Sequence, residues 1–423
     1  MLRSMFSAVA GLKAHQTKLD VTGNNIANVN TVGYKTQSVV FQDTLSQLVR
    51  AASAPTEDTG GTNPTQVGLG VKVAGVTTNF GQGSTQNTGR VEDFIINGDG
   101  FFVTAQGNNQ LFTRAGSMTY DGTGHLVTPD GALLQGWTAD ANGKIDTSGP
   151  IDSLTMPFGQ ILPPVPTSTN AIKGNLNASA ANPIVGPPAV PGAVVTSVVD
   201  MFDKQGNKLT FTYSFTKTGP NAWTMSMNDS TGTAVGGFTP VNLTFDATGK
   251  LTAPASGTTT FTATSAATPN PYANWGTPVV VDFSKMTQFS EKSGVDSTVQ
   301  NGMTTGTLQS FGLTDDGVLQ GTYSNGQTKA LGQLAIASFN NPGGLVKSGA
   351  SSFKSGDNSG QPLIGIGGSG SRGTLASGSL EMSNVDLAEE FTGLIIAQRG
   401  FQANSRVITT SDEILQELVQ LKR

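Results

Sequence analysis

Apolar residues recur at helical spacing only at the two ends of this 423-residue chain. Near the start, Leu2, Met5, Val9, Leu12 and Leu19 alternate steps of three and four once polar Gln16 takes one slot, which lines one face of a helix. At the other end Leu387, Leu394, Phe401, Ile408 and Leu415 fall at strict seven-residue intervals, and Phe391, Ile414, Leu418 and Leu421 widen the stripe. Ser383 or Asn384 is placed to cap this helix, with Asp386, Glu389 and Glu390 in its first turns, favourable against the helix dipole. From Asp386 to Leu421, about 1.5 Å per residue predicts a rod of roughly 54 Å. Gln398, Ser405 and Asp412 take the second heptad position in this reading, so the seam is too interrupted for a strong isolated coiled coil. Both helices are therefore expected to be largely unfolded in a dilute subunit and to fold on assembly.

Between the ends the period changes to two. Hairpin signals recur at Asn97-Gly98, Asp121-Gly122, Asp130-Gly131, Asn142-Gly143, Asp316-Gly317 and Asn325-Gly326. Strand-like runs cover Val194 to Asp200, Leu209 to Phe215, Trp223 to Met227 and Val241 to Phe245, and a meander is expected from Leu308 to Phe339. The Pro-rich stretches Ile161 to Pro166 and Asn182 to Gly192 mark boundaries or surface linkers. The pattern predicts a mainly β multidomain protein with long terminal helices and nested β domains. Residues 1–34 and 379–423 form the helical part, 35–66 and 366–378 linkers, 67–165 and 295–365 an inner β domain, and 166–294 an inserted outer one.

Composition narrows the function. Only 13% of residues are charged, against about 25% in an average soluble domain, the look of an extracellular β protein or an assembly subunit. The net charge of -5 and the lack of any basic cluster make nucleic acid an unexpected partner. Without cysteine there is neither a disulfide nor a thiolate metal site. No apolar run approaches the ~20 residues that cross a bilayer, so membrane insertion is not expected. The short apolar stretch before Ala8-Val9-Ala10 falls below the roughly seven residues of a leader core, so no cleaved signal is expected.

Chemistry is scarce. His15 and His125 lack acidic or histidine neighbours at ligand spacing and read as surface residues. The Gly365 to Gly370 run matches a dinucleotide fingerprint in letters but has no helix behind it, so it reads as a flexible loop. Asn97 to Gly100 lacks the spaced acids of a calcium loop. No catalytic residue, cofactor site or metal site is expected.

The order of residues in SAVAGLKAHQTKLDVTGNNIANVNTVGYK, Ser7 to Lys35, closely resembles the N-terminal signature of the bacterial flagellar rod and hook axial family. SNVDLAEEFTGLIIAQRGFQANSRVITTSDEILQELVQL, Ser383 to Leu421, resembles the same family's other end. The segments Val67 to Arg90 and Gly321 to Leu345 are similar to its outer β domain, with hook-type members the better match because rod members generally lack a large insertion such as 166–294. The resemblance implies a subunit of the flagellar hook, a helical homopolymer whose terminal helices line a central channel. It also implies the distal rod, hook cap and hook–filament junction proteins as partners. Export would run through the type III apparatus to an extracellular hook. The alternatives are a distal rod subunit and, in another class, a secreted β-rich adhesin or enzyme. Assembly is expected to rest on Val9, Leu12, Leu19, Asn24, Asn25, Asn28, Gly33, Leu387, Phe391, Leu394, Phe401, Ile408 and Leu415. Hook proteins joined through a cysteine and a lysine have no counterpart here, since cysteine is absent.

Overall fold

The computed structural model describes residues 2–55, 60–159, 161–187, 189–265, 270 and 272–420. Leu421 lies outside them, as do the side chains of Leu2 and Leu418. Among the described residues the chain is mostly β, with two α-helices, α1 (Leu2–Ala27) near the start and α2 (Leu387–Gln420) near the end. It divides into two compact units, one of residues 1–157, 311–321 and 329–423, the other of 158–310 and 322–328.

In the first unit the apolar run Phe101-Phe102-Val103 explains the central sheet. Successive side chains of a strand point to opposite faces, so an unbroken apolar run means burial on both. Phe102 enters a core with Phe94, Leu134, Ile336 and Leu375, while Phe101 and Val103 enter another with Phe112, Trp137 and Phe339. Strand Phe101–Gln106 pairs with Asn109–Thr113 and Leu133–Thr138. The chain returns through Thr374–Ser377, paired with Phe94–Asn97, and Ser379–Glu381, paired with Thr85–Asn87, and so reaches α2. The segment 35–66, expected as linker, holds strands. Gln37–Asp43 pairs with Val71–Thr78, and Ser46–Arg50 pairs with Thr65–Gly68.

The second unit holds two sheets. Val194–Phe202, Lys208–Gly219, Ala222–Asp229, Val241–Phe245 and Leu251–Ala253 form an antiparallel meander. Thr169–Asn175 lies between Val279–Thr287, in parallel, and Gly294–Gln300, antiparallel. The inward residues of both sheets share one core that includes Tyr213, Trp223, Trp275 and Phe283. Because Gly294–Gln300 pairs inside this sheet, the unit runs past the boundary expected at 294.

One local device recurs in both units. At Asp121, Asp140, Asp203, Asp229 and Asp246 the carboxylate Oδ1 accepts the backbone N–H groups two and four residues on, at 2.8 to 3.0 Å. A glycine three residues after each aspartate takes positive φ, between 80° and 87°. The turn signal is therefore Asp-x-x-Gly rather than the adjacent pair, which is why Gly124, not Gly122, carries the left-handed backbone at Asp121.

At Asp121, Asp140, Asp229 and Asp246 these bonds hold the carboxylate below its ordinary pKa. The first cause is the hydroxyl of Thr123 at Asp121, Thr231 at Asp229 and Thr248 at Asp246, and the Lys144 N–H at Asp140. A depressed folded pKa contributes stability above the unfolded value, about 3.9, that is lost as pH falls through the folded value. Melting temperature should therefore decline as pH drops below about 4. Asp246→Asn, which keeps an acceptor but cannot titrate, should flatten part of that decline while leaving the pH 7 melt almost unchanged. An equally steep profile in the variant would remove the turns from the account.

Candidate functional site

The two ends of the chain meet. A Cβ on Gly11 would lie 2.8 Å from Asn404 Nδ2, a Cβ on Gly400 would lie 2.5 Å from His15 Cε1, and Asn25 Nδ2 donates to Glu390 Oε1 at 2.8 Å. The residue numbers in each pair add to 415, so α1 and α2 run antiparallel in one constant register.

The seam between them is made of small and polar side chains. Among the described side chains, Ala8, Gly11, Ala14, Thr22 and Asn25 are the buried positions of α1, and Ala397 and Ser411 those of α2. Asn404, Ile408 and Leu415 are half-buried on the same face of α2. The second heptad position is thus Ala397, Asn404 and Ser411, not Gln398, Ser405 and Asp412, which are turned away from it or only half-covered. Small residues let backbones approach, and a bulky partner opposite each glycine fills the gap. His15 belongs to this seam, with its ring edge-on to Phe41 at 5.7 Å, and is not a surface residue.

The apolar stripes found by periodicity lie beside the seam. On α1, Val9 is exposed and Leu12 and Leu19 are half-buried. On α2, Leu387, Phe391, Ile395 and Phe401 are exposed along one flank, and Ile396, Val407 and Ile414 along the other, while Leu394 is half-buried. A helix normally buries its apolar stripe and shows its polar face to water. Here the in-chain contact uses the polar and small face and leaves apolar flanks uncovered.

The Asn-rich stretch forms a knot where the helices join the β body. Asn25 is fully buried, and its amide donates to Gln37 O at 2.7 Å and to Glu390, while its Oδ1 accepts from Gln37 N and the Tyr34 hydroxyl. Tyr34 also donates to Asn24 Oδ1 at 2.8 Å, and Asn28 donates back to Asn24 O at 2.9 Å. Burial, and then the charge of Glu390, push the Tyr34 hydroxyl above its ordinary pKa. Asn384, expected as a cap, instead accepts from Thr36 N and donates to Asn79 O and Gly81 O. Asp386 is the cap, accepting from Ala388 N at 2.8 Å and Glu389 N at 3.3 Å.

Beneath the knot lies a buried ion cluster. Glu381 accepts from Lys35 Nζ at 2.6 Å, from Gly83 N at 2.8 Å and from Arg114 Nη1 at 3.3 Å, with all three charged side chains at most 3% exposed. Burial is the main influence on both cations and lowers their pKa values, against the attraction of Glu381. The Glu381 carbonyl accepts from Gly33 N at 2.8 Å. Gly33 has φ of +67°, and a Cβ there would meet Ala115 N at 2.5 Å. Gly33→Ala should cost about 2–4 kcal/mol, from left-handed strain together with overpacking. Thermal melting of the purified variant measures it, and a loss below about 1 kcal/mol would mean the loop yields freely.

None of these groups forms a catalytic arrangement. Among the described residues no three acidic or histidine side chains are grouped to hold a metal. His125 sits in its turn with Nδ1 at 3.2 Å from Asp121 Oδ2. Gly365 to Gly370 leads into strand Thr374–Ser377 with no helix behind it. No helix among the described residues is long and apolar enough to cross a membrane.

Four family models match along the chain. They are "Flagella basal body rod protein" over residues 5–35, "Flagellar hook protein FlgE/F/G D1 domain" over 95–172, "Flagellar basal body protein FlaE D2 domain" over 175–303, and "Flagellar basal body rod FlgEFG protein C-terminal" over 376–421. The flagellar hook protein FlgE of Borreliella burgdorferi is 39% identical, with 100% of both chains covered. The chain belongs to the flagellar hook protein family. FlgE of Treponema pallidum is 37% identical, again over 100% of both chains. The crystal structure of Helicobacter pylori flagellar hook protein FlgE2 shares the fold, with a TM-score of 0.53 and 15% identity over 70% of this chain and 100% of that one. Within the hook family the two terminal matches, 5–35 and 376–421, contain the helix pair, the knot and Glu381. Glu381 and Arg114 escaped sequence reading because a lone Glu in a strand and a lone Arg after a hairpin carry no periodic signal.

Proposed function

We propose that this chain is the repeating subunit of the flagellar hook, a tube that joins rod to filament and passes torque around a bend. The observation that supports this reading most directly is the uncovered apolar surface on both flanks of a helix pair whose own seam is small and polar. Such flanks are costly in water and are covered when identical pairs stand side by side. In this reading Val9, Leu12 and Leu19 of α1 and Leu387, Phe391, Leu394, Phe401, Ile408 and Leu415 of α2 contribute to contacts between subunits. Asn24, Asn25, Asn28 and Gly33 act indirectly, by fixing the helices to the β body. The terminal helices form the inner wall around a channel, and the β units face outward.

The low charge density reduces repulsion between copies, in keeping with a homopolymer. The distal rod protein at the base, the cap protein during growth and the junction protein at the far end are the proposed neighbours, with delivery by the type III export apparatus. The role is structural, with no reaction assigned. The second unit, which includes residues 166–294, is proposed as the inserted outer domain. Electron microscopy of purified basal structures decorated with antibody to this chain tests the assignment. Label should fall on the curved segment; label on the straight rod or on the cell surface would replace the hook by the rod or adhesin reading.

A further inference from the structure

Burial disfavours the ammonium of three lysines among the described residues, and two of these have acceptors. Lys35 pairs with Glu381, while Lys217, itself buried, donates to Ala178 O at 2.6 Å and to Ala180 O at 2.8 Å. Lys347 is different. It lies on strand Val346–Gly349 and is open to solvent, yet no hydrogen bond or ion pair engages its Nζ among the described residues. The amine instead stands 4.7 Å from the centre of the Tyr34 ring, and burial of this tip pushes it below its ordinary pKa.

The fold holds it there. Lys347 pairs with Phe353 across a two-residue turn in which Ala350 and Ser351 both take positive φ, 48° and 55°. Tyr34 is fixed from the other side by its bonds to Asn24 and Asn25. Between Tyr34 and Phe353 opens a cavity of about 310 Å³, lined also by Asn28, Thr31 and Ser351. A small acyl group carried on Lys347 has room in it.

We infer that Lys347 is a site of covalent acylation, taking acyl groups from activated small acids of the acyl phosphate class. A neutral amine is the form that reacts, and Lys347 combines an ammonium disfavoured by burial with access from solvent. Its lone pair attacks the acyl carbon, a C–N bond forms and the C–O bond to phosphate breaks. Phosphate leaves with that electron pair, and the surplus proton on nitrogen passes to water. The product is an uncharged amide, so the attraction between the ammonium and the Tyr34 ring is lost beside the knot. The inference concerns a single chain and stands apart from the hook-subunit reading.

The full chain, treated at pH 8 with limiting acetyl phosphate and read by peptide mass spectrometry, gives the acetylation rate of each lysine. Lys347 should react about fivefold faster than the exposed Lys144, Lys292 and Lys354, a margin that a fall of less than one unit in pKa supplies. In chain unfolded by denaturant the four should react alike, because the advantage comes from the fold. Lys347→Arg keeps the charge and should abolish the fast event without speeding any other lysine. Equal rates in the folded chain, an advantage that survives unfolding, or a fast event that persists in Lys347→Arg would each overturn the assignment.

Discussion

Glu381→Ala should destabilise the first unit by roughly 3–5 kcal/mol, the usual cost of leaving buried charges without their partner. Lys35 and Arg114 both direct donors at this one carboxylate, at 2.6 and 3.3 Å, and neither side chain has solvent to replace it. Lys35 would retain only the Gly81 carbonyl, at 2.8 Å. Gly83 N would lose its acceptor as well. At about 2–4 °C per kcal/mol for a unit of this size, the melting point should fall by roughly 6–20 °C. Glu381→Gln should recover little, because a neutral amide keeps an acceptor but leaves two buried cations with only the charge of exposed Asp99 nearby. Differential scanning calorimetry of the three proteins measures the effect. A shift below 2 °C for Glu381→Ala would mean that water reaches the cluster and that the knot does not hold the helices to the body.

Phe401→Asp should do the reverse, sparing the free chain and abolishing the polymer. Phe401 is 38% exposed on the flank of α2, with seam positions Ala397 and Asn404 on the neighbouring face. A carboxylate there stays solvated in the free subunit, so the melting point should hold within about 2 °C, as for ordinary surface changes. In the tube the same carboxylate would be buried without a partner, at several kcal/mol per subunit. At about 1.4 kcal/mol per tenfold, a penalty near 3 kcal/mol raises the concentration needed for assembly by about a hundredfold. Cells carrying the variant should have rods but neither hooks nor filaments. Gly400→Leu supplies the contrast, because a side chain there meets His15 and should loosen the helix pair already in the free chain. If Phe401→Asp melts early and still builds normal hooks, the flank belongs to the chain's own core.

Periodicity located both helices and their apolar stripes but not the seam by which the helices meet within the chain. Leu387, Phe391 and Phe401 repeat at heptad-related spacing, and within one chain such a stripe would ordinarily be the buried seam. The in-chain seam instead uses Gly11, His15, Ala397 and Gly400, whose small or polar side chains add nothing to an apolar count. Close approach at glycine is a property of paired backbones and leaves no mark on a single helix. The strands of the β units were legible wherever one face is polar, as in Lys208–Gly219, whose middle residues alternate buried and half-buried. The buried run Phe101-Phe102-Val103 is legible only as apolar, since strands covered on both faces lose their alternation. Turn glycines at Gly131, Gly143, Gly317 and Gly326 all take positive φ, as their sequence neighbours suggest. The Asp-x-x-Gly spacing behind five of the turns was missed because the bond pattern skips residues. Glu381 joins the two chain ends through contacts 346 and 267 residues apart, a separation that local pattern cannot reach.

The central claim is that the exposed flanks of the terminal helix pair become the buried inner wall of the tube. Hydroxyl-radical footprinting of free subunits and assembled tubes measures the exposure of those side chains directly. Phe6, Phe391 and Phe401 should be readily oxidised in the free chain and protected in the tube, while Phe102, already buried in its β core, should resist oxidation in both. Tubes in which Phe391 and Phe401 remain as reactive as in the free subunit would contradict the account.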